Sequence, residues 1–225
     1  KYGDTSVAIK DIKSYLDIRL TAKDYRGEDI GYENPVIEWS EKEDNIYCAR
    51  IRIVSDGIYS LSAVYDNGIN DAIEEGISFV ADNEPPDEDM VKVSVYKYDA
   101  DGHRCGKSVS SGFGNNSDKI NYTNGYYEME ISGYDRCDLI SGVDASGADG
   151  VCYYVTDKNL SKDDIEAIKD WEEYSDGYVI KIDSKRFRIY VKLTDRQGNV
   201  SYVSTGEYIV DDEPPYISNI EVLSE

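Results

Sequence analysis

Two stretches of the chain alternate apolar and polar residues. Phe187, Ile189, Val191 and Leu193 alternate with Arg188, Tyr190, Lys192 and Thr194. A period of two puts each set on its own face of a strand, so this stretch predicts a half-buried strand. The turn Asp195-Arg196-Gln197-Gly198-Asn199 follows it. Earlier in the chain, Tyr59, Leu61, Ala63 and Tyr65 alternate with Ser60, Ser62 and Val64, and Asp66-Asn67-Gly68-Ile69-Asn70 follows. Aligned on the turn Asp, the two apolar sets have opposite parity. A one-residue slip would turn a core face outward, so the apolar sets set the alignment. The earlier strand is then one residue shorter before its Asp.

Shorter patterns predict further strands at 7–9, 15–22, 36–39, 47–54 and 76–81. In the second half they fall at 91–98, 126–132, 151–156, 178–182 and 201–210. Each half thus carries roughly six or seven strands, the number expected of an immunoglobulin-like sandwich. One helix is predicted. Ser161-Lys162-Asp163-Asp164 reads as a capping box with Asp in the Glu position, and Ile165, Ile168 and Trp171 follow at helical spacing. It is expected to cross between the sheets with its apolar face on the core. Residues 99–125 are weakly patterned and carry Gly102, Gly106, Gly112, Gly114 and Gly125. They are expected to form a long loop or polar hairpin inserted in the second sandwich, a place where binding function often lies.

A repeated segment divides the chain. Phe79-Val80-Ala81-Asp82-Asn83-Glu84-Pro85-Pro86 is matched by Tyr208-Ile209-Val210-Asp211-Asp212-Glu213-Pro214-Pro215. Proline cannot donate to a sheet ladder, so a strand stops at each copy, and two prolines in a row stiffen the link. The resulting division is a first domain over 1–83, a Glu-Pro-Pro linker over 84–86 and a second domain over 87–212 with its insertion near 99–125. Residues 213–225 are then a linker and the first strand of a further repeat. The fold class is all-β: two β-sandwiches in tandem, the second with a short helix and a Gly-rich insertion.

Charge narrows the partners. The 225 residues hold 46 Asp and Glu against 24 Lys and Arg, a formal charge of −22. A polyphosphate would be repelled, which argues against nucleic acid. No apolar run approaches the roughly 18 residues of a membrane span. The opening Lys1-Tyr2-Gly3 carries no signal-peptide pattern, so a targeting segment is expected to lie outside this chain or to be missing. Tyr outnumbers Phe 21 to 3. A ring with a wet hydroxyl suits the half-buried positions of thin sandwiches. The four cysteines, Cys48, Cys105, Cys137 and Cys152, form no CxxC pair, which leaves a zinc site without support. Cys137 with Cys152, or Cys105 with Cys137, are the candidate disulfides; free, partly buried thiols are the plainer reading.

Several short motifs carry a resemblance. In the first half they are Thr21-Ala22-Lys23-Asp24-Tyr25, Trp39-Ser40, Asp56-Gly57-Ile58-Tyr59 and the turn from Asp66 to Asn70. In the second they are Ser141-Gly142-Val143, Tyr153-Tyr154-Val155 and the turn from Asp195 to Asn199. In their order and spacing they resemble the immunoglobulin-like (Ig-like) domains that occur in tandem on surface proteins of Gram-positive (Firmicutes) bacteria. The linkers resemble that family's Val-Asp-x-Thr-Ala-Pro pattern, with Glu84 or Glu213 at the Thr position and Pro at the Ala position. The resemblance implies an exported, cell-surface or secreted protein, stalk-like domains in series and no catalysis of their own. It also implies that the chain is a segment of something longer.

Catalytic chemistry finds little purchase. His103, the sole histidine, sits in a Gly/Asp-rich turn with nothing nearby to orient a nucleophile. No catalytic, cofactor-binding or metal residue is assigned. Ca²⁺ is the sharper candidate cofactor: Asp195 and Asn199 bracket a turn, and Asp211-Asp212-Glu213 follow one strand later. The simpler account is that Asp and Asn cap the turn through their own backbone. Lys10, Lys92 and Lys192 are candidate donors for a Lys–Asn isopeptide bond. Tyr122, Tyr126, Tyr127, Tyr134, Tyr153 and Tyr154 are candidates for a sugar-stacking face, with ordinary strand packing as the alternative. The Asn-x-Ser/Thr triplets at Asn115, Asn121, Asn159 and Asn199 read as chance in a bacterial chain. The expected function is a non-enzymatic cell-surface spacer or adhesion segment, a monomer presenting a distal module or binding a surface ligand such as a glycan or a host matrix protein. The alternative is a carbohydrate-binding accessory region of a secreted polysaccharide-degrading enzyme.

Overall fold

A computed structural model describes residues 14–24, 26–30, 37–43, 46–53, 55–115, 117–134 and 150–216. The chain is mostly β and divides into two compact units, one ending at Glu84 and the other starting at Pro85. The strand expected at 7–9, Cys137 and Lys10 lie outside the described residues, as does the segment expected to start a further repeat from residue 217 on.

The first unit contains β1 (Leu16–Lys23), β2 (Ile37–Glu43), β3 (Ile46–Ile51), β4 (Gly57–Tyr65) and β5 (Ile73–Ala81). The order β1-β4-β5 makes one antiparallel sheet, and β2 pairs with β3. Register follows the apolar pattern: Leu20 faces Leu61 and Ala22 faces Tyr59, while Tyr59 faces Phe79. Leu20, Ala22 and Tyr59 are buried, and Ile30, Ile51, Ile53, Leu61, Phe79 and Ala81 pack against them. The rings of Tyr59 and Phe79 stack at 5.5 Å. β4 ends on Tyr65, directly before Asp66, and spans nine residues.

The second unit contains β6 (Lys92–Tyr98), β7 (Arg104–Ser110), β8 (Ile120–Thr123), β9 (Tyr127–Ser132), β10 (Val151–Thr156), α1 (Lys162–Glu166), β11 (Glu172–Glu173), β12 (Ile180–Ile182), β13 (Arg186–Thr194), β14 (Val200–Ser204) and β15 (Glu207–Val210). One sheet has the order β12-β9-β6-β7. The other runs β11-β10-β13-β15-β8, with β14 also paired to β13. Both sheets feed one hydrophobic cluster. Val93, Val95, Met129 and Ile131 come from the first, and Val151, Phe187, Ile189, Val191, Leu193 and Val203 from the second. Two sheets closed on one core is the arrangement of a β-sandwich.

Three expectations are corrected here. Residues 99–125 are neither a long loop nor a hairpin of their own: β7 pairs with β6 along its length, and β8 lies parallel to β15. The strand expected over 201–210 is two strands. Thr205, itself buried, interrupts it; its Oγ1 accepts from the Ile189 N–H and donates to the Gly206 carbonyl. The break lets β14 pair with the far end of β13 while β15 pairs with the near end. The helix has the predicted capping box, Ser161 with Asp164, and Ile165 is fully buried. It is not a crossover, because β11 after it pairs with β10 before it. Its approach covers the outer face of β13 instead. The Tyr190 hydroxyl donates to the Lys158 carbonyl and accepts from the Leu160 N–H, which explains why β13 is buried on both faces rather than one.

Glu207 is the charged residue that β15 carries inward. It accepts from Arg186 Nε, and Arg188 Nη2 lies 3.8 Å away while its Nη1 donates to the Ser117 carbonyl. The Arg186 hydrogen bond holds the Glu207 carboxyl below its ordinary 4.5. A carboxylate with a lowered folded pKa stabilises fully above its unfolded value and loses that contribution as pH falls through the folded one. Stability is therefore expected to hold down to about pH 4.5 and then fall. In Arg186→Gln the acid limb of a urea-midpoint profile should flatten; an unchanged limb would refute the assignment.

Candidate functional site

Three turns share one construction. In each, an Asp carboxylate folds back on the backbone two and four residues ahead. The Asp24 Oδ1 accepts from the N–H groups of Arg26 and Glu28 at 2.8 and 2.9 Å. Asp99 does the same for Asp101 and His103, and Asp195 for Gln197 and Asn199. Each Asp N–H also donates to the carbonyl four residues on, and the fourth residue is Gly27, Gly102 or Gly198 at positive φ. That is the three-residue loop with a left-handed glycine that closes tight hairpins. Asp66 departs from it: its glycine, Gly68, comes one residue earlier, and Asn67 Oδ1 takes the N–H groups of Ile69 and Asn70. The Asp-x-x-Gly spacing stands in the sequence at all three places.

The turn chemistry gives Asp195 a structural role of its own. Both oxygens of Asp195 are engaged, since Oδ2 accepts from Asn199 Nδ2 at 2.8 Å. Asp212 pairs with Lys185 at 2.8 Å, and the Asp211 N–H donates to Thr123. Among the described residues, the group of potential ligands close enough to share an ion is Asp99, Asp101 and His103, not Asp195 with Asp211. Melting curves in Ca²⁺ and in EDTA are expected to coincide; a shifted midpoint would show a site this geometry does not supply.

The remaining candidates separate in space. His103 is exposed, with Asp99 3.7 Å from its Nδ1. Among the described residues Cys48, Cys105 and Cys152 are free thiols, and Cys137, the shared partner of both candidate disulfides, lies outside the described residues. Lys92 is exposed and Lys192 lies on an outer sheet face over the Trp171 ring, so neither sits in a core where an isopeptide bond would be shielded. The six tyrosines do not form one face. Tyr127, Tyr134 and Tyr153 are core residues, at 1%, 7% and 8% exposure. Tyr154 packs on Trp171 outside the larger sheet, Tyr126 stacks on Tyr98 outside the smaller one, and Tyr122 is exposed on β8.

The outer face of the smaller sheet carries the densest set of functional groups. Cross-strand register places Lys107 of β7 opposite Tyr96 of β6, and Tyr96 opposite Glu128 of β9. A bulge between Lys97 and Tyr98 sets Arg104 opposite Tyr98. The Arg104 guanidinium lies 3.9 Å from the Tyr96 ring centre, and Lys107 Nζ lies 4.9 Å from the same ring. The Tyr96 hydroxyl donates to Glu130 at 2.7 Å and the Tyr98 hydroxyl to Glu128 at 2.6 Å. Arg104 in turn donates to the Tyr98 oxygen at 3.1 Å. Tyr98 stacks flat on Tyr126 at 4.5 Å, with Lys181 over the far ring. The Glu128 bond pushes the Tyr98 phenol up and outweighs the lowering by Arg104. Cations thus line the edge strand, a row of tyrosines separates them from the carboxylates, and each of those carboxylates is capped by a hydroxyl. Sequence reading missed this set, because its members come from four strands and look like ordinary surface residues singly.

No family model, no curated protein and no solved structure matches this chain.

Proposed function

We propose that this chain is a non-catalytic segment of a bacterial surface protein, two tandem Ig-like domains acting as a spacer and adhesion module. The observation that carries the proposal is the anchoring of the repeated linker. On the first unit, Asn83 donates through both its backbone N–H and its side chain to Asp56 Oδ1, and Glu84 N–H donates to Asp82. On the second, Pro86 is buried and the Gly112 N–H donates to the Glu88 carbonyl. Between these anchorages stand Pro85 and Pro86, each holding φ at about −65°, and two prolines in a row favour an extended link. A short, stiff link suits a module that projects something.

The Ig-like reading draws support from Tyr59. Its hydroxyl donates to the Ser55 carbonyl, four residues upstream, at 2.7 Å. A tyrosine tied back to its own approach at a strand corner is a hallmark of such sandwiches. Phe187 takes the matching place in the second unit and has no hydroxyl to repeat the bond. The six tyrosines named for a sugar face lie on different faces, so as a set they lend the accessory-domain alternative no support.

Small-angle scattering on the whole chain tests the spacer. One narrow distance distribution is expected for the wild type and a broader one for Pro85→Gly with Asp56→Ala. Equally broad curves for both would sink the reading.

A further inference from the structure

We propose that Arg104 and Lys107, gathered over Tyr96, form a subsite for the carboxylate or sulfate groups of an anionic polysaccharide. The inference rests on the adhesion reading and names the ligand class for it. In a chain of charge −22, acids outnumber bases almost two to one, and several exposed lysines among the described residues still stand without an ion pair. What sets Arg104 and Lys107 apart is that both rest on one ring. Among the described residues neither forms an ion pair with an acid, and Arg104 bonds to the Tyr98 oxygen.

Two like charges held at one ring repel, and an anion between them would relieve that. The guanidinium is also pre-positioned. Tyr96 beneath it and Tyr98 at one edge fix its plane, leaving the other donors of the fork toward solvent. A fixed fork binds a carboxylate or sulfate with little further loss of side-chain freedom. The nearby carboxylates of Glu130 and Glu128 accept from Tyr96 and Tyr98, and neither forms an ion pair with the guanidinium, though Glu128 still acts on it through space. A polysaccharide fits the surroundings better than an acidic peptide. The cations lie on an open sheet face beside the flat Tyr98–Tyr126 stack, and tyrosine presents both an apolar face and a hydroxyl to a sugar. The bland account is that the two stems merely cover Tyr96, which is 9% exposed.

The test is binding of the whole chain to immobilised polygalacturonate, heparin, neutral dextran and, for an acidic peptide, poly-glutamate. The first two separate carboxylate from sulfate recognition. Retention on at least one anionic polysaccharide and none on dextran is expected. Arg104→Ala and Lys107→Ala should each weaken binding about tenfold, the worth of one charged hydrogen bond. Arg104→Lys keeps the charge without the fork and should fall between. Going from 0.1 M to 1 M NaCl shrinks the screening length from about 10 Å to about 3 Å and should abolish retention. Lys162→Ala, an exposed lysine on α1, is the control and should bind as wild type. Unchanged melting of each variant separates lost binding from lost folding. Wild-type binding that survives the Arg104→Ala/Lys107→Ala pair overturns the subsite and leaves the adhesion reading standing. No retention on either anionic polysaccharide overturns the ligand class, as does retention on poly-glutamate alone; the scattering experiment judges the spacer separately.

Discussion

Replacing Phe187 with alanine is expected to destabilise the second unit by about 3–5 kcal/mol, the range for deleting a buried aromatic ring. Phe187 is fully buried. It meets Tyr127 edge-on at 5.4 Å and stacks on Tyr208 at 5.2 Å, and those two rings meet each other at 5.2 Å. Tyr127 belongs to the smaller sheet, and Phe187 and Tyr208 to the larger, so this trio is a seam between the layers. The Tyr208 hydroxyl extends it to Ser108 of β7 at 2.8 Å. Burial has pushed the Tyr127 and Tyr208 phenols up, a sign of how little water reaches them. A cavity here would leave both rings without a partner on one side. The readout is the urea midpoint followed by Trp171 emission in a Trp39→Phe background. Val179→Ala, at a side chain 48% exposed in the same unit, should change stability by less than about 0.5 kcal/mol. If the two substitutions cost the same, the core is misplaced.

What the residue pattern revealed, and what it hid, have physical reasons. β13 was plain because every second residue is a large apolar one, and the capping box at Ser161 was plain because its partners are three residues apart. β7 was hidden because its inward positions are hydroxyls. Ser108 and Ser110 face Val95 and Val93, and Ser108 is there to meet the Tyr208 oxygen, so no apolar period appears. Gly106 adds to the disguise, a residue that reads as a loop in the middle of the strand. β8 is inverted. Ile120 and Tyr122 are exposed, while Thr123 is buried and donates to the Tyr98 carbonyl. The sugar-face reading failed for a related reason. Tyr126 and Tyr127 are neighbours in sequence, as are Tyr153 and Tyr154, and neighbours on a strand point to opposite faces. Groups that do meet, Arg104 with Tyr96 and Lys107, are joined by register and a bulge, which no single stretch of sequence displays.

The three Asp turns allow a sharper experiment, because the same bonds occur at different depths. Asp24 and Asp99 are half-buried, whereas Asp195 is fully buried. Removing a carboxylate leaves its donors unpaired, and the penalty depends on whether water can replace it. At Asp24 and Asp99 water can, so alanine there should cost about 1 kcal/mol. At Asp195 it cannot. The N–H groups of Gln197 and Asn199 and the Asn199 side-chain amide would all lose their acceptor, and the expected cost is about 2–4 kcal/mol. Asp195→Asn should fall between. Its one oxygen can serve the two backbone donors, but its amide then faces the Asn199 amide, donor against donor. Gly198→Ala adds an independent handle: its φ of +89° strains any residue with a Cβ, at a cost of about 1 kcal/mol or more. Urea midpoints of the five variants, with amide exchange at Gln197 and Asn199, give the ranking. Equal losses at Asp24, Asp99 and Asp195 would mean that depth does not govern these turns. A larger loss at Asp195, with faster exchange at its two amides, would mean that the buried carboxylate is the keystone of the β13–β14 hairpin.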